Sequence, residues 1–425
     1  MTRRLEPISI LAPESFRNAL SRRSFLQLGT AAAGVAFMSA CGSSDGDGGA
    51  ADTTVGSTPD SASGDSTPGS ASGESILSQY SNVINQSSGT LAMFTWGAYN
   101  DPEIVGALAE SSLGVTMKVD YYPSNEDLVT KLSASNGSSG FDVVVPTGPF
   151  VPQMIEKGLL QKFDKSKLPN MANVDPLYLG RSWDPTNEYS VCKDWGSTGF
   201  FYDTTKITRE LTTWNDFIDA CMNEGSGRCS VLDSPGNITG MYYWANGINW
   251  TTEDPADIDA CEAFLVDEFA QHLKGFDSYP STAVAQGAFD ISMIWNGDAR
   301  AAYGSILDAG GNPDDWKWVL GAPATELWMD NYCIPTGAPN PDAGHAWINW
   351  LLTPEISIRD LVFHGYHSGM KNIDKLIAEL APDLTRAEMI FFTDEQVATM
   401  QTGAVNSAQD RIVEIYDKIK AKAAG

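Results

Sequence analysis

Hydrophobic and polar positions follow two different periods through the first part of the globular region. Residues 90–95 and 141–145 are short apolar runs, and residues 115–121 are apolar at every second position. These runs are typical of strands. Helical segments separate them, beginning near Asn100 and near Ser124, where residue types that cap helices occur. Strands that alternate with helices in this way predict an α/β lobe with a parallel sheet.

A second series of the same kind follows. Its predicted helices cover residues 213–222, 341–352 and 410–423, and its predicted strands cover residues 199–202, 230–232, 291–294, 318–321 and 331–334. A globular region that runs from about residue 89 to residue 425 is long enough for two lobes, each with its own core.

The first 88 residues have a different composition. Ser21-Arg22-Arg23-Ser24-Phe25-Leu26 leads into an apolar run that ends at Cys41. A basic segment before a short apolar core predicts an export signal of the twin-arginine type over residues 1–41, and the run is too short for a membrane-spanning helix. Cys41 closes a lipobox-like sequence, which predicts lipidation, the alternative being a soluble exported protein. Residues 42–88 are rich in Ser, Gly, Asp and Thr, which predicts a disordered tether.

Charge and cysteine content narrow the function only a little. Asp and Glu number 54 against 27 Lys and Arg, which gives a formal net charge of −27. Such a charge repels nucleic acid and attracts cations, although a need for solubility would explain it equally well. Five cysteines follow Cys41, and in an exported protein they either form disulfides or stay reduced.

The strand ends suggest where a ligand would bind. In open α/β sheets, ligands lie beyond the carboxyl ends of the strands. Here those ends carry Trp96 and Tyr99, then Ser124 and Asn125, then Thr147. Because a loop Trp is poorly placed for the core of the sheet, the pattern predicts a ligand-facing role for Trp96. The alternative is ordinary burial at the sheet edge.

From about Leu91 to the C-terminus, several short motifs occur in a fixed order. They are TWGAY from Thr95, YPSNEDLVTKL from Tyr122, FDVVVPTGPF from Phe141, YSVCKDWGSTG from Tyr189, MIWNGDA from Met293, WMDNYCIP from Trp328 and HGYHSG from His364. Their order and spacing resemble the spermidine/putrescine-binding proteins of bacterial ABC importers. The resemblance implies an α/β, two-lobed, type II periplasmic-binding-protein fold, with a mixed sheet flanked by helices in each lobe and crossing hinge strands between them. It places residues 89–193 and 329–374 in lobe 1, and residues 194–328 and 375–425 in lobe 2.

The resemblance also implies a site for an organic cation. By position, its aromatic walls are Trp96, Tyr99, Trp295, Trp328 and Tyr366, its carboxylates are Asp298 and Asp330, and Thr147 is a neutral contact. Aromatic faces suit both the methylenes and the ammonium groups of a polyamine. Carboxylates must pair with the nitrogens, because an unpaired charge in a closed cleft is costly.

Three further candidate contacts are Ser124, Ser234 and Asn237. At the last two positions, the family commonly carries acidic side chains that grip an amine. The site is therefore expected to hold fewer carboxylates and to favour a shorter diamine over a triamine.

Each site residue also has a structural interpretation. Asp298 follows Asn296-Gly297 and would cap the next helix, where the helix dipole favours a carboxylate. Trp295 and Trp328 end apolar strands and would belong to the core. Taken together, the two Trp-to-Asp pairs favour a cation site.

These observations predict the substrate-binding lipoprotein of an ABC importer, which captures a polyamine and delivers it to permease subunits. The alternative is the same transport role for an amino acid, a betaine-like cation or a sugar. The chain is not expected to be an enzyme, since it has no G-x-S-x-G elbow and no P-loop. No cofactor, metal or nucleic acid is expected. The protein should be an exported monomer, in the periplasm or on the outer face of the cytoplasmic membrane, held there by lipid.

Overall fold

The computed structural model describes residues 75–135 and 139–424. The predicted signal and the lipidation site at Cys41 lie outside the described residues, as does the predicted tether up to residue 74. Ahead of the main α/β unit, the structure describes a 3₁₀ turn at Ile76–Gln79. Within the described residues, no helix is both long and apolar enough to cross a membrane.

The first sheet is small and parallel. It contains β1 (Gly89–Thr95), β2 (Val115–Tyr121) and β3 (Val143–Val144), in the order β2-β1-β3. This confirms the βαβαβ pattern read from the sequence. Ser124 caps the helix after β2, where its hydroxyl accepts a hydrogen bond from the Asp127 amide.

The second sheet is larger and mixed. Its order is β12-β10-β5-β8-β6-β7, with β9 also paired to β5, and a separate pair joins β4 to β11. The strands are β4 (Leu160–Gln161), β5 (Val191–Asp203), β6 (Cys229–Leu232), β7 (Leu273–Asp277), β8 (Ile291–Trp295), β9 (Trp316–Val319), β10 (Thr325–Tyr332), β11 (Ile334–Pro335) and β12 (Met400–Gln401). Strands β6, β7 and β8 are mutually parallel, whereas β5 runs antiparallel to β8 and β10.

Helices pack around both sheets. They are α1 (Ala109–Leu113), α2 (Asn125–Ala134), α3 (Val151–Glu156), α4 (Trp214–Met222), α5 (Pro235–Asn246), α6 (Pro255–Glu262), α7 (Pro280–Ala285), α8 (Asn296–Asp308), α9 (Pro341–Leu351), α10 (Pro354–His364), α11 (Ile373–Leu380), α12 (Asp394–Thr399) and α13 (Gln409–Ala423). Helix α4 starts with a capping box between Thr213 and Asp216, which explains why its boundary was predictable.

Two strands connect the sheets. β5 has 13 residues and pairs with β10, and the far end of β10 approaches the small sheet, where Thr147 forms a β-bridge with Asp330 and Val144 forms one with Cys333. The resemblance implies crossing segments near Lys193-Asp194 and near Met329-Asp330, which lie in β5 and β10, and a third after about Asn372, where α11 begins. The exact division of the chain into two lobes stays a prediction.

Some predicted boundaries differ from the structure. The predicted strand at 199–202 is only a part of β5, and the one at 331–334 covers the last two residues of β10, then Cys333, and the first residue of β11. The helix expected near Asn100 starts later, as a π-helical turn at Ile104–Leu108 that leads into α1. The last part of the predicted tether is ordered, because Ser81 and Val83 are hydrogen-bonded to Asn170, a buried residue.

The five cysteines after Cys41 are buried free thiols: Cys192, Cys221, Cys229, Cys261 and Cys333. Of the two alternatives that the sequence left open, the structure has the reduced one.

Candidate ligand-binding site

Three side chains share one face of β10, because alternate residues of a strand point to the same side. They are Glu326, Trp328 and Asp330, called here the β10 row. Trp328 lies opposite Gly196 on β5, and Asp330 lies opposite Asp194. A Cβ atom at Gly196 would lie 2.5 Å from Cζ2 of Trp328, so this glycine leaves the space that the indole fills.

The hydroxyl of Tyr99 contacts the two carboxylates at one end of the β10 row. It lies 2.8 Å from Oδ2 of Asp330 and also contacts Oδ1 of Asp194. The other oxygen of Asp330, Oδ1, is buried and has no hydrogen-bond partner among the described residues. Asp330 is only 5% exposed. Hydrogen bonding by the Thr147 side chain acts to lower the pKa of Asp330, but no described donor lies in ordinary hydrogen-bond geometry to Oδ1.

The protonation of this pair follows from its geometry. A phenol has one proton, so Tyr99 donates to only one of the two carboxyl groups. Asp194 is neutralised by Lys193, whose Nζ lies 2.6 Å from Oδ2 of Asp194. Burial, and next the charge of Asp194, raise the pKa of Asp330 to about 7. With a pKa of about 7, Asp330 is therefore the carboxyl group of this pair that is about half protonated near neutral pH.

Lys193 is a buried cation behind the aromatic wall. Its Nζ lies 3.7 Å from the centroid of the Tyr99 ring and 3.6 Å from Asp360. Asp360 also accepts hydrogen bonds from the Asn100 side chain and the Asp101 amide, both at 2.8 Å. Lys193 thus forms ion pairs with Asp194 and Asp360, whereas its charge reaches Asp330 only as a weaker, pKa-lowering effect.

The second predicted carboxylate, Asp298, lies in the first turn of α8. The Tyr366 hydroxyl donates a hydrogen bond of 2.6 Å to its Oδ2. Burial raises the pKa of Asp298 to about 6, against the lowering effect of this hydrogen bond. The Tyr366 ring packs edge-on against Trp328, with 4.7 Å between the centroids. The structure therefore brings Asp298, Tyr366, Trp328, Asp330 and Tyr99 into one connected cluster.

Two other predicted residues lie next to this cluster. Trp295 ends β8, is partly buried, and packs against hydrophobic residues of both the large and the small sheet. Thr147 forms a backbone bridge with Asp330, and its hydroxyl accepts a hydrogen bond of 2.9 Å from the Asn125 side chain.

Trp96 and Ser124 have structural contacts that account for their positions. The indole of Trp96 donates to the carbonyl of Val145 at 3.1 Å, and its ring packs edge-on against Tyr122. Ser124 is used as the cap of α2. Its capping contact gives no reason to place Ser124 against a ligand, whereas Trp96 is partly exposed.

Sequence reasoning missed Glu326, at the other end of the β10 row. Its Oε2 accepts hydrogen bonds from Thr198 Oγ1 at 2.6 Å and from Asn237 Nδ2 at 2.5 Å. Burial raises its pKa, and these two hydrogen bonds lower it. The signal was present, since TELWMD places two acids and a Trp at every second position. Ser234 stands at the start of α5 without a side-chain cap bond.

The site has the chemistry of a cation-binding cleft. Within the described part of the chain, no ion pair involves Asp298, Glu326 or Asp330. No group of three metal-ligating side chains occurs among the same residues. Burial lowers the pKa of His367 to about 3 and also lowers that of His364, so both imidazoles are neutral. The fold and the site together define a two-lobed solute-binding protein.

Comparison with known proteins agrees with this class. Residues 103–377 match the family model described as bacterial extracellular solute-binding protein. The spermidine/putrescine-binding periplasmic protein of Escherichia coli (strain K12) is 28% identical over 337 residues, covering 79% of this chain and 92% of that protein. The putrescine/agmatine-binding protein of Pseudomonas aeruginosa is 27% identical, covering 72% of this chain and 85% of that protein.

Solved structures give the same fold. A spermidine/putrescine ABC transporter substrate-binding protein from Streptococcus pneumoniae superposes with a TM-score of 0.63 at 22% identity, covering 79% of this chain and 99% of that one. A lipoprotein of Treponema pallidum, TpPotD, superposes with a TM-score of 0.66 at 24% identity, covering 78% of this chain and 99% of that one. These likenesses confirm the predicted two-lobed fold.

This chain belongs to the bacterial extracellular solute-binding protein family. Membership confirms the prediction of a binding protein and not an enzyme. It also agrees with export from the cytoplasm, as the signal-like N-terminus predicts.

Proposed function

We propose that this protein is the substrate-binding component of an ABC importer and that its ligand is a polyamine, of the putrescine or spermidine kind. The E. coli and P. aeruginosa relatives carry such ligands in their names. One observation carries the proposal for this chain. The buried Oδ1 of Asp330 has no partner, and it lies in a cluster whose aromatic members are Tyr99, Trp328 and Tyr366.

An ammonium group satisfies this arrangement in two ways. It donates to the unused oxygen of Asp330, and it lies against aromatic rings whose faces attract cations by about 0.5–2 kcal/mol each. Its charge also replaces the proton that Asp330 carries near neutral pH. A sugar would supply hydrogen bonds but would leave the buried carboxylates without a counter-charge.

Anionic ligands fit the site poorly. Arg300 is the basic residue nearest in sequence to Asp298, and its guanidinium is already engaged. Its Nε donates to the carbonyl of Thr385 at 3.0 Å, and its Nη1 lies 3.4 Å from the carbonyl of Val362. The buried Lys193 is paired with Asp194 and Asp360. Neither cation is available for a ligand carboxylate, which disfavours amino acids relative to amines.

Capture and delivery complete the proposed role. Binding closes the two lobes around the amine, and the closed protein presents it to permease subunits. We place the protein outside the cytoplasm, held at the membrane by lipid on Cys41 through the Ser- and Gly-rich segment that follows. This anchoring rests on the sequence motif alone. It is tested by replacing Cys41 with Ser and following membrane association after cell fractionation, which should be lost.

Calorimetric titration of the purified protein with putrescine, spermidine and glucose tests the ligand class. Saturable one-to-one binding of an amine, without binding of glucose, is the expected result. If the protein binds betaine or an amino acid but neither amine, the proposed transport role stands and the proposed polyamine ligand is wrong.

A further inference from the structure

His364 is the last residue of α10, and the chain turns sharply after it. Gly365 has a φ of 78°, the left-handed conformation that commonly ends a helix. This turn brings the backbone amide of Tyr366 back to the imidazole of His364, where it donates a hydrogen bond of 3.0 Å to Nδ1. The side chain of His364 thus holds the backbone of a residue that was predicted to contact the ligand.

The hydrogen bond from Tyr366 determines which imidazole nitrogen carries the proton. In a neutral imidazole one nitrogen accepts and the other donates, so Nε2 is the protonated nitrogen here. Nε2 lies 3.3 Å from Oδ2 of Asp194 and 3.7 Å from Oδ2 of Asp360. These contacts are longer than ordinary hydrogen bonds. One edge of the ring therefore contacts the Tyr366 backbone, and the other edge faces the carboxylate that Tyr99 also contacts.

The ring of His364 also contacts both tyrosines of the site. It stacks on Tyr366, with 5.5 Å between the centroids and 24° between the planes, and its centroid lies 5.7 Å from that of Tyr99. The Tyr99 and Tyr366 rings are themselves 6.0 Å apart. The three rings form a triangle in the interior, since His364 is buried like the two tyrosines. The imidazole therefore lies against two of the aromatic walls that were predicted from the sequence.

The position of the Tyr366 backbone decides whether its hydroxyl reaches Asp298. Helix α8 begins close to this turn, because a Cβ atom at Gly297 would lie 2.4 Å from Cε1 of Tyr366 and 2.6 Å from the carbonyl oxygen of His364. A buried amide without an acceptor is costly, so loss of the imidazole acceptor favours a rearranged turn. Since α8 leaves so little space, such a shift also disturbs the 2.6 Å hydrogen bond from Tyr366 to Asp298.

We propose that His364 is a positioning residue of the ligand site, which holds the Tyr366 backbone through Nδ1 and thereby directs the Tyr366 hydroxyl to Asp298. The inference rests on the proposed function, since it concerns the same cleft. His364 does not touch the ligand in this arrangement. It acts through Tyr366, while its ring packs against Tyr99 on the other side.

Two substitutions separate the acceptor from the ring. His364→Phe keeps a ring and removes the acceptor, whereas His364→Asn keeps an acceptor oxygen at the position of Nδ1, because both atoms are bonded to Cγ. Calorimetric titration with putrescine and spermidine should show amine binding weakened by about tenfold or more in His364→Phe. His364→Asn should bind within about threefold of wild type.

A double-mutant cycle tests whether His364 acts through Tyr366. Tyr366→Phe removes the hydroxyl that bonds to Asp298. If His364 positions that hydroxyl, the affinity losses of His364→Phe and Tyr366→Phe should not add, and the double variant should bind about as weakly as the weaker single variant. Losses that add in full would mean that the two residues act independently, which would overturn the inference.

His345→Phe is the matched control for a merely structural effect. His345 is also buried, and its Nε2 accepts the backbone amide of Asp164 at 2.9 Å. This change should lower the melting temperature of the unliganded protein, as His364→Phe does, but leave amine affinity within about twofold of wild type.

Three results would overturn the inference while leaving the polyamine function intact. They are an unchanged affinity in His364→Phe, an equal loss in His364→Asn and His364→Phe, and an equal loss in His345→Phe and His364→Phe. A wild-type protein that binds neither amine would overturn both the proposed function and the inference.

Discussion

Asp330 lies directly opposite Asp194 in the antiparallel pair of β10 and β5, and the hydroxyl of Tyr99 contacts both carboxyl groups. Two carboxylates that face each other in the protein interior repel. One of them therefore needs a nearby cation, and the other is stabilised by binding a proton. Lys193 compensates Asp194. Asp330 is left with a pKa of about 7, as an acid that is ready to exchange its proton for a ligand cation.

Ligand affinity should therefore depend on pH around neutrality. An ammonium binds the ionised form of Asp330, and with a pKa of about 7 the ionised fraction falls about tenfold from pH 8 to pH 6. We expect amine affinity to fall by about the same factor, with a further loss below pH 6 as Asp298 is protonated. Titration calorimetry in buffers of different ionisation enthalpy should show proton release on binding at pH 6.5. An affinity that is flat between pH 6 and pH 8 would contradict this protonation state.

The same carboxyl group should lower the stability of the unliganded protein. Because its folded pKa lies above the ordinary value of 3.8, the folded state holds the proton more tightly, and stability falls as the pH rises from about 4 through 7. Asp330→Asn should remove this penalty. The unliganded variant is expected to gain up to a few kcal/mol in free energy of unfolding at pH 8 and nothing near pH 4. Urea denaturation at the two pH values measures both effects.

The control for Asp330→Asn is the same type of substitution at another aspartate, Asp216. Asp216→Asn removes the negative charge at the N3 position of the α4 capping box and should cost about 0.3–1 kcal/mol. If Asp330→Asn is destabilising to the same degree at pH 8, Asp330 is a structural residue and not a ligand group.

The sequence was informative where local chemistry decides the structure. The caps at Ser124 and Thr213 and the apolar runs of β1, β2 and β8 were located to within a residue or two. The length of β5 and β10 was not foreseen, because strands that pass between lobes mix apolar and charged residues. The strand-end pattern supplied Tyr99, and the resemblance supplied Asp298, Asp330 and Tyr366, which no local pattern could have brought together.

What the sequence could not provide was the partner of each charge. Lys193 and Asp194 stand at the predicted boundary between the lobes, and nothing in the sequence indicated that both side chains are almost fully buried. Glu326 fell outside the predicted strands, because the strand predicted at 331–334 begins six residues later than β10 does. Its burial depends on β5, which brings Thr198 to it from 128 residues away in the chain.

Removing the positive charge of Lys193 should destabilise the protein in a pH-dependent way. Lys193→Met leaves Asp194 and Asp360 without a cation, and His364, which lies 3.3 Å from Asp194, is neutral and cannot replace it. Breaking a buried pair costs on the order of 3–5 kcal/mol. The loss should be largest at pH 8 and smaller at pH 5.5, where Asp360, with a pKa of about 6, takes up a proton.

Urea denaturation at pH 5.5 and pH 8 measures this difference. Lys317→Met is the control, since Lys317 forms an exposed pair with Glu210 and should be worth at most about 1 kcal/mol. A loss in Lys193→Met that is no larger than in this control would show that Asp194 and Asp360 are neutral without Lys193.

Gly97 and Tyr279 form a contact across the cleft that can be tested by compensation. Gly97 follows β1 of the small sheet, and Tyr279 follows β7 of the large sheet. A Cβ atom at Gly97 would lie 2.6 Å from the Tyr279 hydroxyl, which is too close. Gly97→Ala should therefore hinder closure and weaken amine binding by about threefold to tenfold, the cost of displacing one partly exposed ring. Tyr279→Ala in the same chain removes the obstacle and should restore affinity to the level of Tyr279→Ala alone. If the losses of affinity in Gly97→Ala and in Tyr279→Ala simply add in the double variant, the two residues are not in contact in the liganded state.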